Sequence, residues 1–455
     1  MKPTPTPAHG PPPQDRREPD RRLQREADRV DPIAADPAEG FVWVWLPGAT
    51  DPVVAGTITR TTHRYDNAAV CTFTYDRTYL SRPDAVSLFT PELPLRPGVF
   101  DPTQPEDPPL RDRLPIASCL RDAAPDAWGR RVLNTQLAED RTVELSELTY
   151  LLGAGSDRVG ALDVTTSPTA YHPRPGTPAT LDQLLEVSAH IERDEHVPAE
   201  LQHAARHLTG AGGAQPKALL ADGDRSLIAK FPSIAQTRSA LHAEAVAMLL
   251  ARRVGIRAAT VEMVPVKGRD VLLVERFDRP GARTRRMMVS ALTVLGYGEL
   301  ASRHATYPEF ADAVRTSFTH PDDTLRELYT RMVFNICVGN CDDHLRNHAA
   351  FWEGHILELT PAYDIAPSPR AAGPLSHALG ITRDGRNASQ LHLARAAAPD
   401  FALDDAEAAD IIDHVTTGIR LGYSEACEQA RVSAADREAM WGREFLNPYL
   451  QYDEP

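Results

Sequence analysis

Cys341-Asp-Asp-His-Leu-Arg-Asn347 decides the fold. It is followed by apolar runs at 349–352 and 356–359 around Gly354, and then by Tyr363-Asp364. The runs on either side of Gly354 predict a hairpin. Upstream, Leu325, Leu328, Met332, Val333 and Ile336 form one helical stripe, with Asp322-Asp323 at its start and Gly339 just past its end. Acidic residues favour a helix N-terminus and glycine favours its exit. The chain therefore reads helix, polar loop, hairpin, carboxylate. An exposed polar loop alone would give the same local pattern, so the rest of the chain must decide.

Working outward, Thr209-Gly-Ala-Gly-Gly-Ala-Gln-Pro-Lys217 is a glycine-rich turn whose backbone N–H groups can approach an anion. Lys217-Ala-Leu-Leu220 and Ser226-Leu-Ile-Ala-Lys-Phe231 flank Asp222-Gly-Asp224, a second hairpin signature, and place Lys230 at the end of a strand. Leu241, Ala245, Met248 and Leu249 define a helix closed by Gly255. Glu244 lies beside that stripe and faces the core, where a carboxylate needs a cation; Lys230 is the candidate. The apolar strand Val271-Leu-Leu-Val274 then breaks into Glu275-Arg-Phe-Asp278, which suits a hinge between two lobes as well as it suits a buried strand with a polar exit.

Phosphoryl transfer needs a carboxylate to accept the hydroxyl proton and oxygen ligands for Mg²⁺. The order in this chain is glycine loop, Lys230, Glu244, hinge, Asp342, Asn347 five residues on, hairpin, Asp364. Protein kinases arrange those parts in the same order. Asp342 is the candidate base, with Asp343 as second choice, and Asn347 and Asp364 are candidate metal ligands.

Composition sets the outer limits. At 455 residues, two or three domains are expected. Net charge of −14 counts against broad nucleic-acid binding, and no apolar run approaches the ~20 residues of a membrane helix. Five scattered cysteines suit a reducing compartment, and with no apolar leader after Met1-Lys2 the expectation is cytoplasmic. Cys337, Cys341, His344 and His348 cluster without the spacing of a zinc site; buried thiols near a helix end are the plainer reading. Residues 1–38, rich in proline and charge, predict a disordered tail. The β-branched and aromatic runs at 41–46, 53–58 and 70–75 predict a small sheet. Pro125-Asp126 predicts a helix start, a further short helix is expected over 145–152, and a strand over 159–164. The predicted organisation is an N-terminal β-rich subdomain (39–167), a linker (168–180), an N-lobe (181–278) and a helical C-lobe (279–450): an α+β, atypical bilobal kinase-like fold.

Gly213-Ala-Gln-Pro-Lys217, Val274-Glu-Arg-Phe-Asp-Arg279, Asp342-Asp-His-Leu-Arg-Asn347 and Leu359-Thr-Pro-Ala-Tyr-Asp-Ile365 together resemble the HipA family of toxin serine/threonine kinases, over about residues 41–450. The resemblance implies ATP and Mg²⁺ as cofactors. It places phosphates on Gly212, Gly213, Ala214, Gln215, Lys217 and Lys230, adenine on the backbone of Glu275 and Phe277, and ribose on Asp278. Asp342 becomes the base, Asn347 and Asp364 the metal ligands, and His344 and Arg346 assist phosphate or substrate. It implies a protein substrate of the aminoacyl-tRNA synthetase kind and a separate helix-turn-helix antitoxin. The family's loop often carries a serine that is autophosphorylated to switch the enzyme off; Gly210 stands at that position here, beside Thr209. Asp343 replaces the usual glycine after the base. These departures motivate the competing expectation of a non-catalytic, nucleotide- or antitoxin-binding subunit. Hydrolysis at the Cys/His cluster is the third.

Overall fold

The structure, a computed structural model, describes residues 37–62, 68–103, 114–137, 144–174, 179–210, 213, 215–233, 240–281, 283–368 and 374–452. The tail predicted over 1–38 therefore lies almost wholly outside the described residues.

Three sheets organise the chain. β1 (Glu39–Val44), β2 (Val53–Thr62), β3 (Ala69–Tyr75), β4 (Val99–Phe100) and β5 (Leu162–Thr165) form an antiparallel sheet in the order β4-β3-β2-β1-β5. Val42, Val44, Ile58, Phe73 and Val164 are buried, as period-two strands with one covered face require. The strand expected from Val159 begins only at Leu162. Gly160 takes a left-handed turn (φ +75°), and its N–H leaves the sheet to donate to Asp278 Oδ2 at 2.7 Å.

β6 (Lys217–Asp222), β7 (Arg225–Lys230), β8 (Val261–Val266) and β9 (Arg269–Glu275) form the second sheet, ordered β6-β7-β9-β8. The Ala240–Arg253 helix packs on β8 and β9 with one side and on the long Asp405–Gln429 helix with the other. β10 (Met288–Ser290), β11 (Ala349–Trp352) and β12 (Leu357–Leu359) make a small third sheet against the helical remainder. There the Tyr307–Ser317 helix starts on a capping box of Thr306 and Glu309, and the Pro321–Val338 helix ends on left-handed Gly339 (φ +65°).

The stretch read as a linker is anchored over part of its described length. Arg174 donates to Asp163 Oδ1 and to the Val164 carbonyl, each at 2.8 Å, and its own N–H reaches Ser156 Oγ at 2.8 Å. A second apolar core joins the Ala127–Leu137 and Leu181–Glu192 helices to β6, β7 and β9 through Trp128, Leu184, Ala218 and Phe231. Segments from the first and second halves of the sequence thus meet around the glycine-rich turn. Among the described residues no helix is long and apolar enough to cross a membrane.

Candidate active site

β7 ends in Lys230, paired in register with Lys217 at the start of β6, so the hairpin sets two ammonium groups side by side. Lys230 Nζ donates to Glu244 Oε1 at 2.5 Å and to Asp364 Oδ1. Glu244 is buried in the Ala240–Arg253 helix, while the Asp364 side chain keeps 32 % exposure. Burial opposes all these charges, but two carboxylates around one ammonium reverse the balance: Lys230 is held above its ordinary pKa, and Asp364, beside Lys230 and then Lys217, well below the carboxylate range. Asp364 also sits in the left-handed region at φ +57°, a strained backbone for a non-glycine residue. Its neighbours hold it there. Tyr363 donates its hydroxyl to the Arg346 carbonyl at 2.6 Å, and the Ala362 carbonyl accepts from Ala259 N–H at 2.9 Å.

The Tyr363–Arg346 bond ties Asp364 to the polar loop. In that loop Asn347 Nδ2 donates to the Asp342 carbonyl at 3.2 Å, and Asn347 N–H to the His344 carbonyl at 2.8 Å. Asp342 is exposed. Asp343, the second candidate for the base, does not face the cleft: 3 % exposed, it turns inward to Tyr307 and His348. Arg346 is engaged by Glu299 (Nε–Oε1 2.9 Å) and lies 3.6 Å from Asp122, so it is anchored at the rim. His344 is half-buried.

Of the glycine-rich turn, Gly212 and Ala214 lie outside the described residues. Gly213 adopts φ +109°, and a Cβ there would lie 2.2 Å from Lys217 Nζ. The left-handed φ favours glycine at this position whatever the space beside Lys217. Gln215 Nε2 donates to the Phe231 carbonyl at 3.3 Å. Burial lowers the Lys217 pKa, with Lys230 adding to it. Trp128 grips both ends of the turn, its backbone N–H on the Gly213 carbonyl and its indole Nε1 on the Lys217 carbonyl, each at 3.2 Å. Thr209 is 1 % exposed, with its hydroxyl donating to the Arg206 carbonyl (2.8 Å) and accepting from Gly155 N–H (3.1 Å). At Gly210 any Cβ would meet the Asp157 carbonyl at 2.4 Å and Leu219 Cδ1 at 2.5 Å. No side chain fits where the family's loop serine would stand.

Sequence reading missed one group here. Asp126, taken only as a helix start, points Oδ2 toward the turn, 3.7 Å from the Cβ position of Gly213. That oxygen is buried without a hydrogen-bond partner among the described residues. Burial pushes its pKa up to about 6, against the pull of Lys217. Nothing in the local sequence places an aspartate at 126 beside a lysine at 217.

At the expected hinge, Glu275 N–H is bonded to the Thr260 carbonyl at 2.8 Å and is not available to a ligand. Phe277 packs on Phe351 and Tyr363, with ring centroids 5.8 and 5.7 Å apart. Asp278 requires a correction. The family resemblance implies a ribose contact for it, but it is 4 % exposed and consumed by Arg276 (Nε–Oδ1 3.0 Å, Nη2–Oδ2 2.8 Å), Arg279 (2.7 Å) and the Gly160 N–H. Four N–H donors from three residues leave this carboxylate no free face toward a nucleotide.

Oxygen donors of Asp364 and Asn347 on either side of the Tyr363–Arg346 tie suit a hard divalent cation such as Mg²⁺. Among the described residues no group of three or more His, Cys, Asp or Glu side chains is placed to hold a metal. Cys337 is buried in its helix with its thiol pushed up to about 12, and His348 is committed to Asp343.

Comparison with known proteins places this geometry. The HipA N-terminal domain profile matches residues 44–165 and the HipA-like C-terminal domain profile residues 209–421. Y4mE of Sinorhizobium fredii is 30% identical over 146 residues, covering 30% of this chain. The serine/threonine-protein kinase toxin HipA of Shewanella oneidensis is 26% identical over 141 residues, covering 27%. In both cases the match spans 33% of the relative's length. In the solved complex of Shewanella oneidensis HipA, HipB and operator DNA, one chain superposes with a TM-score of 0.60 at 18% identity, over 85% of this chain and 92% of that one. The fold is shared at that distance, and with both domain profiles matched in order, the chain belongs to the HipA family.

Proposed function

We propose that the protein is an ATP- and Mg²⁺-dependent serine/threonine protein kinase. The observation that carries the reading is Lys230 clasped by Glu244 and Asp364, with Asp364 tied through Tyr363 to the loop of Asp342 and Asn347. Lys230 and Lys217 bind the phosphates, and Glu244 keeps Lys230 aimed at them. Phe277 supplies an apolar surface for the base, and the Glu275 carbonyl accepts from its edge. Asn347 and Asp364 would hold Mg²⁺, which would supply charge neutralisation for the transferring phosphoryl group. Asp342, exposed at the cleft, accepts the proton of a substrate hydroxyl. The hydroxyl oxygen bonds to the γ-phosphorus while the bond from that phosphorus to the β,γ-bridging oxygen breaks, leaving ADP.

The substrate class we propose is a serine on a translation component such as an aminoacyl-tRNA synthetase. The regulatory partner we propose is a separate small DNA-binding antitoxin, since the superposed HipA chain comes from a complex with HipB and operator DNA. Incubating the full chain with a cell lysate and γ-labelled ATP tests the activity. Label should enter discrete proteins only with Mg²⁺ and should vanish with Asp364→Ala. Equal labelling by Asp364→Ala would remove the metal assignment, and none by either protein would remove the kinase.

A further inference from the structure

The loop from 342 to 348 is stitched twice, by two contacts of the same span. On the cleft side Asn347 Nδ2 reaches back five residues to the Asp342 carbonyl at 3.2 Å. On the buried side His348 Nε2 reaches back five residues to Asp343 Oδ2 at 2.9 Å. The buried rung does not end there. Tyr307 donates its hydroxyl to Asp343 Oδ2 and accepts from Asn335 Nδ2 at 3.2 Å, and Asn335 Oδ1 accepts from Asn340 Nδ2 at 3.1 Å. Asp343 is thereby fastened to the starts or ends of three rigid pieces: the Tyr307–Ser317 helix, the Pro321–Val338 helix and the entry to β11.

Burying a carboxylate is expensive, and among the described residues no Lys or Arg forms an ion pair with this one. His348 Nδ1 has no hydrogen-bond partner among the described residues, so the ring is held through Nε2 on Asp343. A small residue at 343 would have spared the fold this burial. The carboxylate instead fixes the backbone directly beneath Asp342, whose side chain leaves the next Cα on the opposite side.

We infer that Asp343 is a positioning residue, its buried bonds to His348 and Tyr307 holding Asp342 and Asn347 at the spacing phosphoryl transfer requires. This rests on the kinase reading and deepens it. A misplacement of about 1 Å at a reacting group lowers rate roughly a hundredfold without a matching loss of binding. In the full-length protein, Asp343→Asn keeps the shape but turns an amide N–H₂ or a weaker acceptor on Tyr307 and His348. It should lower kcat roughly ten- to a hundredfold while the KM for Mg-ATP stays within about twofold. Tyr307→Phe, which removes one donor and preserves the ring, should lower kcat less, and the double variant should be no worse than Asp343→Asn alone. Unchanged kcat in folded Asp343→Asn and Tyr307→Phe overturns the inference, as does a loss that falls on KM alone.

Amide hydrogen exchange separates this result from failure of the kinase reading. If the wild-type protein transfers no phosphate, exchange over 341–347 still reports the loop. Exchange at least about tenfold faster in Tyr307→Phe, with the Pro321–Val338 helix unchanged, supports the positioning role. Unchanged exchange in the loop refutes it.

Discussion

Two buried ion clusters stand near the hinge, one built on a lysine and one on arginines, with opposite ratios of cation to carboxylate. In the first, one cation serves two carboxylates: Lys230 lies between Glu244 and Asp364. In the second, one carboxylate serves two cations: Asp278 lies between Arg276 and Arg279, with Asp157 closing the far side at 2.8 Å from Arg276. The lysine cluster spans β7, a helix and the segment after the β12 strand, and Asp364 remains partly open to solvent. The arginine cluster fastens the hinge turn to Asp157, Arg158 and Gly160 of the N-terminal half, and Asp278 is sealed. Planar guanidiniums fill fixed, multiply bonded positions, whereas an ammonium is a compact charge that can be re-partnered. On the proposed kinase reading a triphosphate would compete for Lys230, whereas Asp278 is sealed by its arginine partners. The lysine cluster keeps a partly open edge at Asp364, and the arginine cluster is a closed weld.

That contrast can be broken by mutation. Lys230→Met should abolish detectable phosphate transfer, a loss of at least about a thousandfold, and should also lower the melting temperature because Glu244 is left buried without its cation. Retained turnover would mean that Lys230 is a weld too. Asp278→Ala leaves Arg276 and Arg279 to share the single carboxylate of Asp157 and should destabilise the fold by about 3–5 kcal/mol in denaturant unfolding. Molecules that remain folded at low temperature should keep kcat within a few fold. A selective loss of ATP affinity with normal stability would return Asp278 to the nucleotide.

The smallest effect sharpens the edge of the first cluster. Asp126, with burial raising its pKa to about 6, is destabilising when ionised. Below about 6 the folded protein takes up a proton that the unfolded chain, with a carboxylate near about 4, does not yet bind. Asp126→Asn should therefore melt higher than wild type at pH 7.5, with the gap closing as pH falls from about 6 toward 4. A gap that is constant with pH would mean that the carboxylate is not buried beside the turn.

Most of the lysine cluster was legible in the chain, because its parts sit on short periodic elements. Lys230 ends a strand, Glu244 faces inward on a helix, and Asp342, Asn347 and Asp364 keep a fixed order around a hairpin. The arginine cluster was not legible. Its partners are 119 and 118 residues apart, and no periodicity connects Asp157 or Arg158 to Arg276. The ribose contact that the resemblance implies for Asp278 therefore gives way to a buried knot of arginines. Asp343 was misread for a related reason. Spacing shows that two adjacent aspartates occupy the loop, but only the positions of Tyr307 and His348 show which of them faces inward. The anchored course of residues after β5 was likewise hidden, since proline-rich composition signals irregular backbone and not whether Arg174 finds a buried Asp163.

Direct transfer of the γ-phosphate tests the central claim. Full-length wild-type protein and Asp342→Ala, each folded by circular dichroism and each binding Mg-ATP, would be given γ-labelled ATP and a protein acceptor in single-turnover conditions. Mg²⁺-dependent label on an acceptor serine with wild type, and at least about a thousandfold less with Asp342→Ala, is the predicted result. Equal transfer by the two proteins would contradict the account.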